Sequence, residues 1–254
     1  MPDRTIIIMP AYNAEATVEQ TVRDLPPGCY DEIILVDDCS TDRTVAIAER
    51  LGLTVVRHER NRGYGGNQKT CLDTALAHGA GYIVMIHPDY QYDPRVVPHV
   101  VGFLKADICD VVLGNRIRTR KEAVGSGMPR IKYAANRFLT IAENILYGQN
   151  LGEWHTGYRA YRRKVIETIP YHRNSEDFVF DSQFLAQAVH FGFRIGDVPV
   201  PCRYMPEASS INLRRSTTYG LMTLWTAARW GLHKAHLVTS ELFMPKESDT
   251  PADA

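Results

Sequence analysis

Short apolar runs alternate along the first half of the chain with amphipathic stretches of about ten residues. The runs at 5–9, 32–36, 53–56, 82–86 and 110–113 are rich in isoleucine, leucine and valine and read as buried strands. Pro10-Ala11-Tyr12-Asn13 closes the first run, and Asn13 is placed to cap the next helix. In that helix Val18, Val22 and Leu25 share one face, and Pro26-Pro27-Gly28 stops it. Further helices are expected over 42–51, ending at Gly52, and from the glycine-rich 61–66 segment to Gly79. Another is expected over 93–104, where Val96, Val97, Val100 and Val101 are apolar. Strands alternating with helices predict an α/β domain with a mostly parallel sheet.

The pattern changes after Arg116. Residues 118–122 and 125–127 read as a mobile loop, followed by a helix over 129–146. Then come a helix around 181–190, a strand over 194–200 and a last helix over 216–236. The tail, 246–254, is polar and reads as disordered. No internal repeat is evident.

Composition narrows the function classes. The 254 residues suit one large domain or two small ones. Formal net charge is zero, so no global field favours nucleic acid, and any anion site must be local. The five cysteines are scattered with no C-x-x-C pair, which points to a reducing compartment and away from structural zinc. No run of about 18 apolar residues occurs, so no membrane-spanning helix is expected. The N-terminal apolar run is too short for a signal peptide.

The sharpest chemical feature is IVMIHPDYQYDP, 83–94, where an apolar run stops against polar side chains. Open α/β sheets bind ligands at the carboxyl ends of their strands. His87, Asp89 and Gln91 alternate, so an extended backbone would aim all three to one side. Imidazole with carboxylate suits manganese or magnesium, manganese accepting nitrogen more readily. Asp37-Asp38, at the end of the second run, fits either a ribose or base ligand or a helix cap. Gly63, Gly65 and Gly66 offer backbone N–H groups to phosphate, or form a plain loop. Their spacing and place in the chain are not those of a dinucleotide fingerprint. Arg116, Arg130 and Arg203 are candidates for a second anion site or for ordinary ion pairs. Glu176, Asp177 and Asp181 hold either a general base or the acidic first turn of a helix. The last helix mixes Tyr219, Trp225 and Trp230 with Arg229, His233 and Lys234. That mixture fits a membrane surface, or a face packed on the domain or on another copy of the chain.

Taken in order, MPAYNAE (9–15), EIILVDDCSTD (32–42), NRGYGGN (61–67), HPDYQYDP (87–94), VVLGNR (111–116), HTGYRAY (155–161) and IGDVPVPCRYMPEASSI (195–211) resemble the family-2 glycosyltransferases with the GT-A fold. The likeness is greatest to the polyprenyl-phosphate sugar transferases of the dolichol-phosphate mannose synthase type. Each motif is modest, but the ordered set, spanning 5–212, is specific. The resemblance implies a GT-A sheet with helices on both faces. It implies one catalytic domain over 1–236, with a nucleotide-sugar half (1–116), an acceptor half (117–236) and a flexible tail (237–254). Pro10, Ala11, Tyr12, Asp38, Asn61 and Gly63 would line the nucleoside pocket. Asp89 matches the last carboxylate of the family's metal motif and Gln91 its following glutamine; the first aspartate is here His87. Arg116 and Arg203 match arginines turned toward phosphate, and Asn136 an asparagine of the acceptor loop.

The expected function is therefore an inverting transfer from a UDP- or GDP-sugar, dependent on Mn2+ or Mg2+, to a polyprenyl phosphate. Arg116, Arg130 and Arg203 would position that phosphate; a hydroxyl acceptor would instead need Asp177 as base. A protein that binds nucleotide sugar without turnover is the alternative, and His87 is the residue that favours it. Many relatives carry C-terminal transmembrane helices, whereas no such segment is expected here; a cytoplasmic protein with at most peripheral contact at the inner membrane face is therefore expected, with room for a homo-oligomer.

Overall fold

The computed structural model describes residues 3–117, 119–125, 127–203 and 213–246. The first part of the chain runs β1 (Thr5–Ala11), α1 (Val18–Arg23), β2 (Glu32–Asp37), α2 (Thr44–Arg50), β3 (Thr54–Arg57), α3 (Gly63–Ala77), β4 (Tyr82–Met85), α4 (Val97–Lys105) and β5 (Val111–Asn115). It continues with α5 (Arg120–Gly125), α6 (Arg130–Tyr147), β6 (Arg159–Arg162), α7 (Arg163–Thr168), α8 (Phe180–His190), β7 (Ile195–Pro199) and α9 (Leu213–Lys234). Among the described residues the strands form one sheet in the order β3-β2-β1-β4-β6-β5-β7. Every pair is parallel except those of β6, which runs antiparallel to both β4 and β5.

The uninterrupted apolar runs are strands covered on both faces. Along β1, Ile6 and Ile8 join Cys71, Leu72, Phe180 and Phe184 on the α3–α8 side. Ile7 and Met9 join Val18, Ile47, Val97 and Val100 on the α1–α2–α4 side. Ile6, Ile7, Ile8 and Met9 are all fully buried. Each such side chain contributes about 1.5–3 kcal/mol relative to an exposed one.

Three expectations change. The segment read as a mobile loop contains α5, within which Ala123 is buried; Arg118 and Ser126 lie outside the described residues. β6 was not expected, because RAYR has only two apolar residues and no period-two pattern. Its Arg159 is wholly buried, which a strand tolerates only with a partner for the charge. Third, ordered chain reaches into the stretch expected to be a flexible tail: Leu242 and Phe243 are buried in the core. Arg173 donates to the carbonyls of Glu241 and Met244, and Lys246 to that of Ile166. Residues 204–212 and 247–254, including the end of the IGDVPVPCRYMPEASSI motif, lie outside the described residues.

Asp110 clamps the β5–β7 margin. It is buried and accepts from the Arg194 backbone N–H and Nε at 3.0 Å each, with Lys164 Nζ at 2.7 Å. Burial alone would raise its carboxyl, but hydrogen bonds from Arg194 and Lys164 outweigh it and hold the group far below the usual range. A depressed folded-state pKa stabilises above the unfolded value and is lost as pH falls toward the folded one. Asp110→Asn is therefore expected to destabilise by about 1–2 kcal/mol at pH 7, discounted because both cations are part-exposed. Urea melts should show the gap to wild type closing below about pH 4.

Candidate active site

The carboxyl ends of the parallel strands share one edge, and the reversed β6 brings its beginning to that edge. Residues 155–158 of the HTGYRAY motif therefore meet the ends of β4 and β5. This puts Tyr12, Asp38, Asn61, His87, Asp89, Arg116 and the 155–158 segment along one margin. The buried Asn67 amide, on α3, donates to the carbonyls of Ala11 (3.3 Å) and Val36 (3.0 Å) and ties β1 to β2 there.

On the β1–β2–β3 side, Pro10 and Ala11 are buried and Tyr12 is exposed. Asp38 is buried and its carboxylate is in use. His58 Nδ1 lies 2.7 Å from Oδ1, the Arg62 N–H donates to Oδ1 at 2.7 Å, and the Gly63 N–H to Oδ2 at 3.0 Å. Asp38 thus organises the 61–63 turn. Asn61 is exposed, and its amide donates to the Asp38 carbonyl at 3.1 Å. Beneath it, Asp37 Oδ2 accepts from the Ser40 N–H, while Oδ1 is buried with no hydrogen-bond partner among the described residues.

Gly63, Gly65 and Gly66 form the first turn of α3, and their role is close packing. A Cβ on Gly65 would lie 2.3 Å from the Ser175 carbonyl oxygen, and one on Gly66 2.4 Å from Glu176 Oε2. The Gly65 N–H donates to the Glu176 carbonyl at 2.8 Å. Lys69, buried, donates to the carbonyls of His172 and Asn174 and to Glu176. The 172–176 segment is thereby fastened over α3. Asp177 follows it, exposed, its carboxylate accepting from the Phe178 N–H.

The 87–91 stretch is not extended. A turn at 88–90, with Tyr90 at φ 55°, replaces the strand that alternation suggested. The turn folds Asp89 back so that Oδ1 accepts from the Gln91 N–H at 3.0 Å. A left-handed tyrosine costs about 1–2 kcal/mol. Its ring offsets that strain: it stacks under Arg203 at 4.5 Å, and its hydroxyl donates to Asp24. The Gln91 carbonyl accepts from the Arg203 N–H at 2.8 Å. His87 lies against Gly157, where a Cβ would come within 2.6 Å of the ring. Only glycine lets the two segments approach so closely.

His87 also stacks on Tyr64, ring centroids 5.6 Å apart, with Nε2 3.3 Å from the tyrosine hydroxyl. Burial pushes its imidazole below the ordinary value, against the pull of the Asp89 and Asp181 carboxylates, so it is neutral at pH 7. The tautomer follows. Tyr64 has one hydroxyl proton, and Asp181 Oδ2 accepts it at 2.9 Å. Asp181 pairs through Oδ1 with Arg159 Nη1 at 2.9 Å, and a carboxylate is an acceptor only. The tyrosine oxygen can then only accept from His87, which places the proton on Nε2 and the lone pair on Nδ1. Nitrogen shifts of ¹⁵N-labelled histidine are expected to show a single Nε2–H tautomer for His87. Tyr64→Phe should turn it into a mixture, with the peak assigned by loss in His87→Asn.

Beyond β5 lies a buried polar knot. Arg116 Nε and the Arg116 N–H donate to Glu153 at 2.6 Å and 3.0 Å, and Asn136 donates to the same carboxylate at 3.0 Å. Arg116 Nη2 reaches the His155 carbonyl at 2.6 Å. Arg116 and Asn136 are thus brought together on a carboxylate that sequence reasoning did not single out. Arg130 is exposed. Arg203 Nη2 is 3.8 Å from Asp93, and its Nη1 is buried with no hydrogen-bond partner among the described residues. Burial raises the Cys202 thiol to about 11; Arg116 and Lys132 pull it down, while Glu153 and Asp89 push it up. Desolvation, then the neighbouring Arg116, lowers the Lys132 ammonium.

His58, Tyr64, Lys132, Glu153 and Arg159 were missed. Tyr64 and Arg159 lie inside the NRGYGGN and HTGYRAY motifs but were not singled out within them. The rest are fixed by partners far away in the chain.

Comparison with known proteins agrees on one family. Residues 6–169 match Glycosyl transferase family 2. A UDP-N-acetylglucosamine–dolichyl-phosphate N-acetylglucosaminyltransferase of Methanococcus voltae is 29% identical over 88% of this chain and 97% of its own length. A polyprenol monophosphomannose synthase of Mycolicibacterium smegmatis is 24% identical over 90% of this chain and 87% of its own. Glucosyl-3-phosphoglycerate synthase from Mycobacterium tuberculosis, solved with phosphoglyceric acid, shares the GT-A fold with a TM-score of 0.69 at 21% identity, over 93% of this chain and 81% of that one. The same enzyme solved with Mn2+, uridine-diphosphate and phosphoglyceric acid gives a TM-score of 0.64 at 20% identity, over 93% and 80%. The motif order along the sheet edge and the match across most of the chain make this protein a glycosyltransferase of family 2, with the GT-A fold.

Proposed function

We propose that the chain transfers a sugar, with inversion, from a UDP- or GDP-sugar to a polyprenyl phosphate. The observation that carries this reading is the placement of Asp89, at the end of β4, and Arg116, at the end of β5, along the same edge of the sheet as the nucleoside-pocket residues. One charge sign suits a metal-bound diphosphate, and the other an anionic acceptor beside it. The acceptor class is supported by the relative named as a dolichyl-phosphate transferase.

The residues fit a divalent cation. Among the described residues no three His, Cys, Asp or Glu side chains gather. The chain offers instead the carboxylate of Asp89, the neutral imidazole of His87 and the Gln91 amide. Mg2+ and similar ions take one or two carboxylates and complete their shell with phosphate oxygens and water. When bound, the cation neutralises charge developing on the leaving diphosphate. Pro10, Ala11, Tyr12, Asp38, Asn61 and Gly63 hold the nucleoside, Asp38 by shaping the 61–63 turn. Arg116, Arg203, Arg130 and Lys132 align the acceptor phosphate. One of its oxygens uses a lone pair to bond the anomeric carbon as the carbon–oxygen bond to the diphosphate breaks, and the nucleoside diphosphate leaves with that pair. An ionised phosphate has no proton to lose, so no base is required. With a hydroxyl acceptor Asp177 takes the proton.

The test combines thermal shift against UDP-, GDP- and TDP-sugars with Mn2+ and transfer of labelled sugar to polyprenyl phosphate or to the free alcohol. Stabilisation by one nucleotide class and transfer to the phosphate are expected. Transfer to the free alcohol alone would overturn the acceptor assignment. Donor binding with no nucleotide release would instead support a non-catalytic binding protein. His87→Asp is expected to shift preference from Mn2+ toward Mg2+ by about ten-fold in relative rate, since it exchanges nitrogen for oxygen.

A further inference from the structure

The inward stripe of α6 is polar where an apolar one would pack more simply. Its buried residues are Asn136, Thr140, Glu143 and Tyr147, spaced to lie on one face. That side of the helix splints the segment that leads into β6. Arg137 Nη2 donates to the Gly152 carbonyl at 2.7 Å, and Asn136 to the Glu153 carboxylate at 3.0 Å. The Asn144 side-chain oxygen accepts from Trp154 Nε1 at 2.8 Å and from the Leu151 N–H at 3.0 Å. Glu143 Oε2 lies 3.1 Å from His155 Nε2.

His155 is gripped from two sides. Its Nδ1 is 2.9 Å from the Tyr219 hydroxyl on α9, and the two rings meet edge to face. The same hydroxyl accepts from Ser182 Oγ of α8 at 3.2 Å, and Ser182 Oγ lies 2.9 Å from Thr223 Oγ1. Glu143 is wholly buried, and neither of its oxygens makes a hydrogen bond of good geometry among the described residues. A buried carboxylate so thinly partnered costs stability, and an apolar pair of like volume would pack at least as well. Its presence calls for a reason other than packing.

That reason is the other end of the same residue. The His155 carbonyl accepts from Arg116 Nη2 at 2.6 Å, while Arg116 Nε donates to Glu153 at 2.6 Å. Two acceptors on two edges fix the plane of a guanidinium. Moving His155 would turn that plane.

We infer that Glu143 and Tyr219 are positioning residues that clasp His155 between α6 and α9, so that its carbonyl aims the Arg116 guanidinium at the acceptor phosphate. The inference rests on the polyprenyl-phosphate reading for the ligand, and on the contacts of His155 for the geometry.

Glu143→Gln keeps the size of the side chain and removes its charge; Tyr219→Phe keeps the ring and removes the hydroxyl. Each is expected to raise the KM for a short, water-soluble polyprenyl phosphate by about ten-fold, with a smaller fall in kcat, while the KM for nucleotide sugar holds. In a double-mutant cycle, either change should add little to the loss caused by Arg116→Lys, because both act through one guanidinium. A purely structural role would raise both KM values together and add fully to Arg116→Lys; that result overturns the inference. A second reading needs no acceptor. In ¹⁵N-arginine spectra the Arg116 Nε–H signal, assigned by its loss in Arg116→Lys, should shift in both clasp variants. A signal that stays in place in Tyr219→Phe overturns the inference, even if Glu143→Gln fails to fold. A signal that shifts in a protein unable to transfer sugar to polyprenyl phosphate would keep the clasp and remove the acceptor reading instead.

Discussion

Replacing Asp89 with asparagine is expected to lower glycosyl transfer by about 10²- to 10³-fold, the loss typical of removing one group aimed at developing charge. The amide oxygen can still accept from the Gln91 N–H, as Oδ1 does at 3.0 Å, so the 88–90 turn survives and only the charge is removed. Asp89→Ala removes both and should lose at least as much. The melting temperature should barely change for asparagine, because Asp89 is half-exposed and makes no ion pair within the described residues. Initial rates over a Mn2+ titration provide the check. A variant near wild-type rate would disprove that Asp89 grips the ion. A low rate restored by excess Mn2+ would assign the loss to metal affinity, and a low rate at saturation to the chemical step.

Asp181→Ala should be the most destabilising single change near the site, by about 3–5 kcal/mol, because it strands a buried guanidinium. Asp181 receives Arg159 Nη1 at 2.9 Å, Gln68 Nε2 at 3.0 Å and the Tyr64 hydroxyl at 2.9 Å. Arg159, the first residue of β6, is fully buried beneath the sheet's site edge. Urea unfolding checks the size of the effect. In the double variant Asp181→Ala, Arg159→Met much of the loss should return, since an uncharged pair needs no partner. If the double variant is no more stable than the single, the buried charge is not the cause. The double variant should also leave His87 without its fixed tautomer, joining fold stability to site geometry through Tyr64.

What the chain shows before folding depends on how local the cause is. β1, β2, β4 and β5 were legible because a strand covered on both faces must be apolar throughout, and Ile6, Ile7, Ile8 and Met9 are just that. The HPDYQ stretch was legible as a site because polarity begins abruptly at a strand end. Its geometry was not: alternation suggested an extended backbone, whereas the left-handed Tyr90 is held by Arg203 and Asp24, both distant in sequence. β6 escaped notice because its interior arginine is neutralised by Asp181 on another element. For the glycines of 61–66 the sequence left a phosphate cradle and a plain loop open; in the fold they admit the close approach of Ser175 and Glu176.

The reversed strand has a consequence for synthesis on the ribosome. β4 pairs with β6 through Met85↔Arg159 and Val84↔Ala160, and β5 joins the sheet through β6. The stretch from β1 to β4 emerges early, yet one flank of β4 has no neighbour until β6 has been made. Through that interval the nascent chain carries an unpaired, apolar strand margin, the feature that invites misassociation with other chains. A holdase would have its natural target there, and residues 1–116 cannot be released as a finished unit before β6 is made.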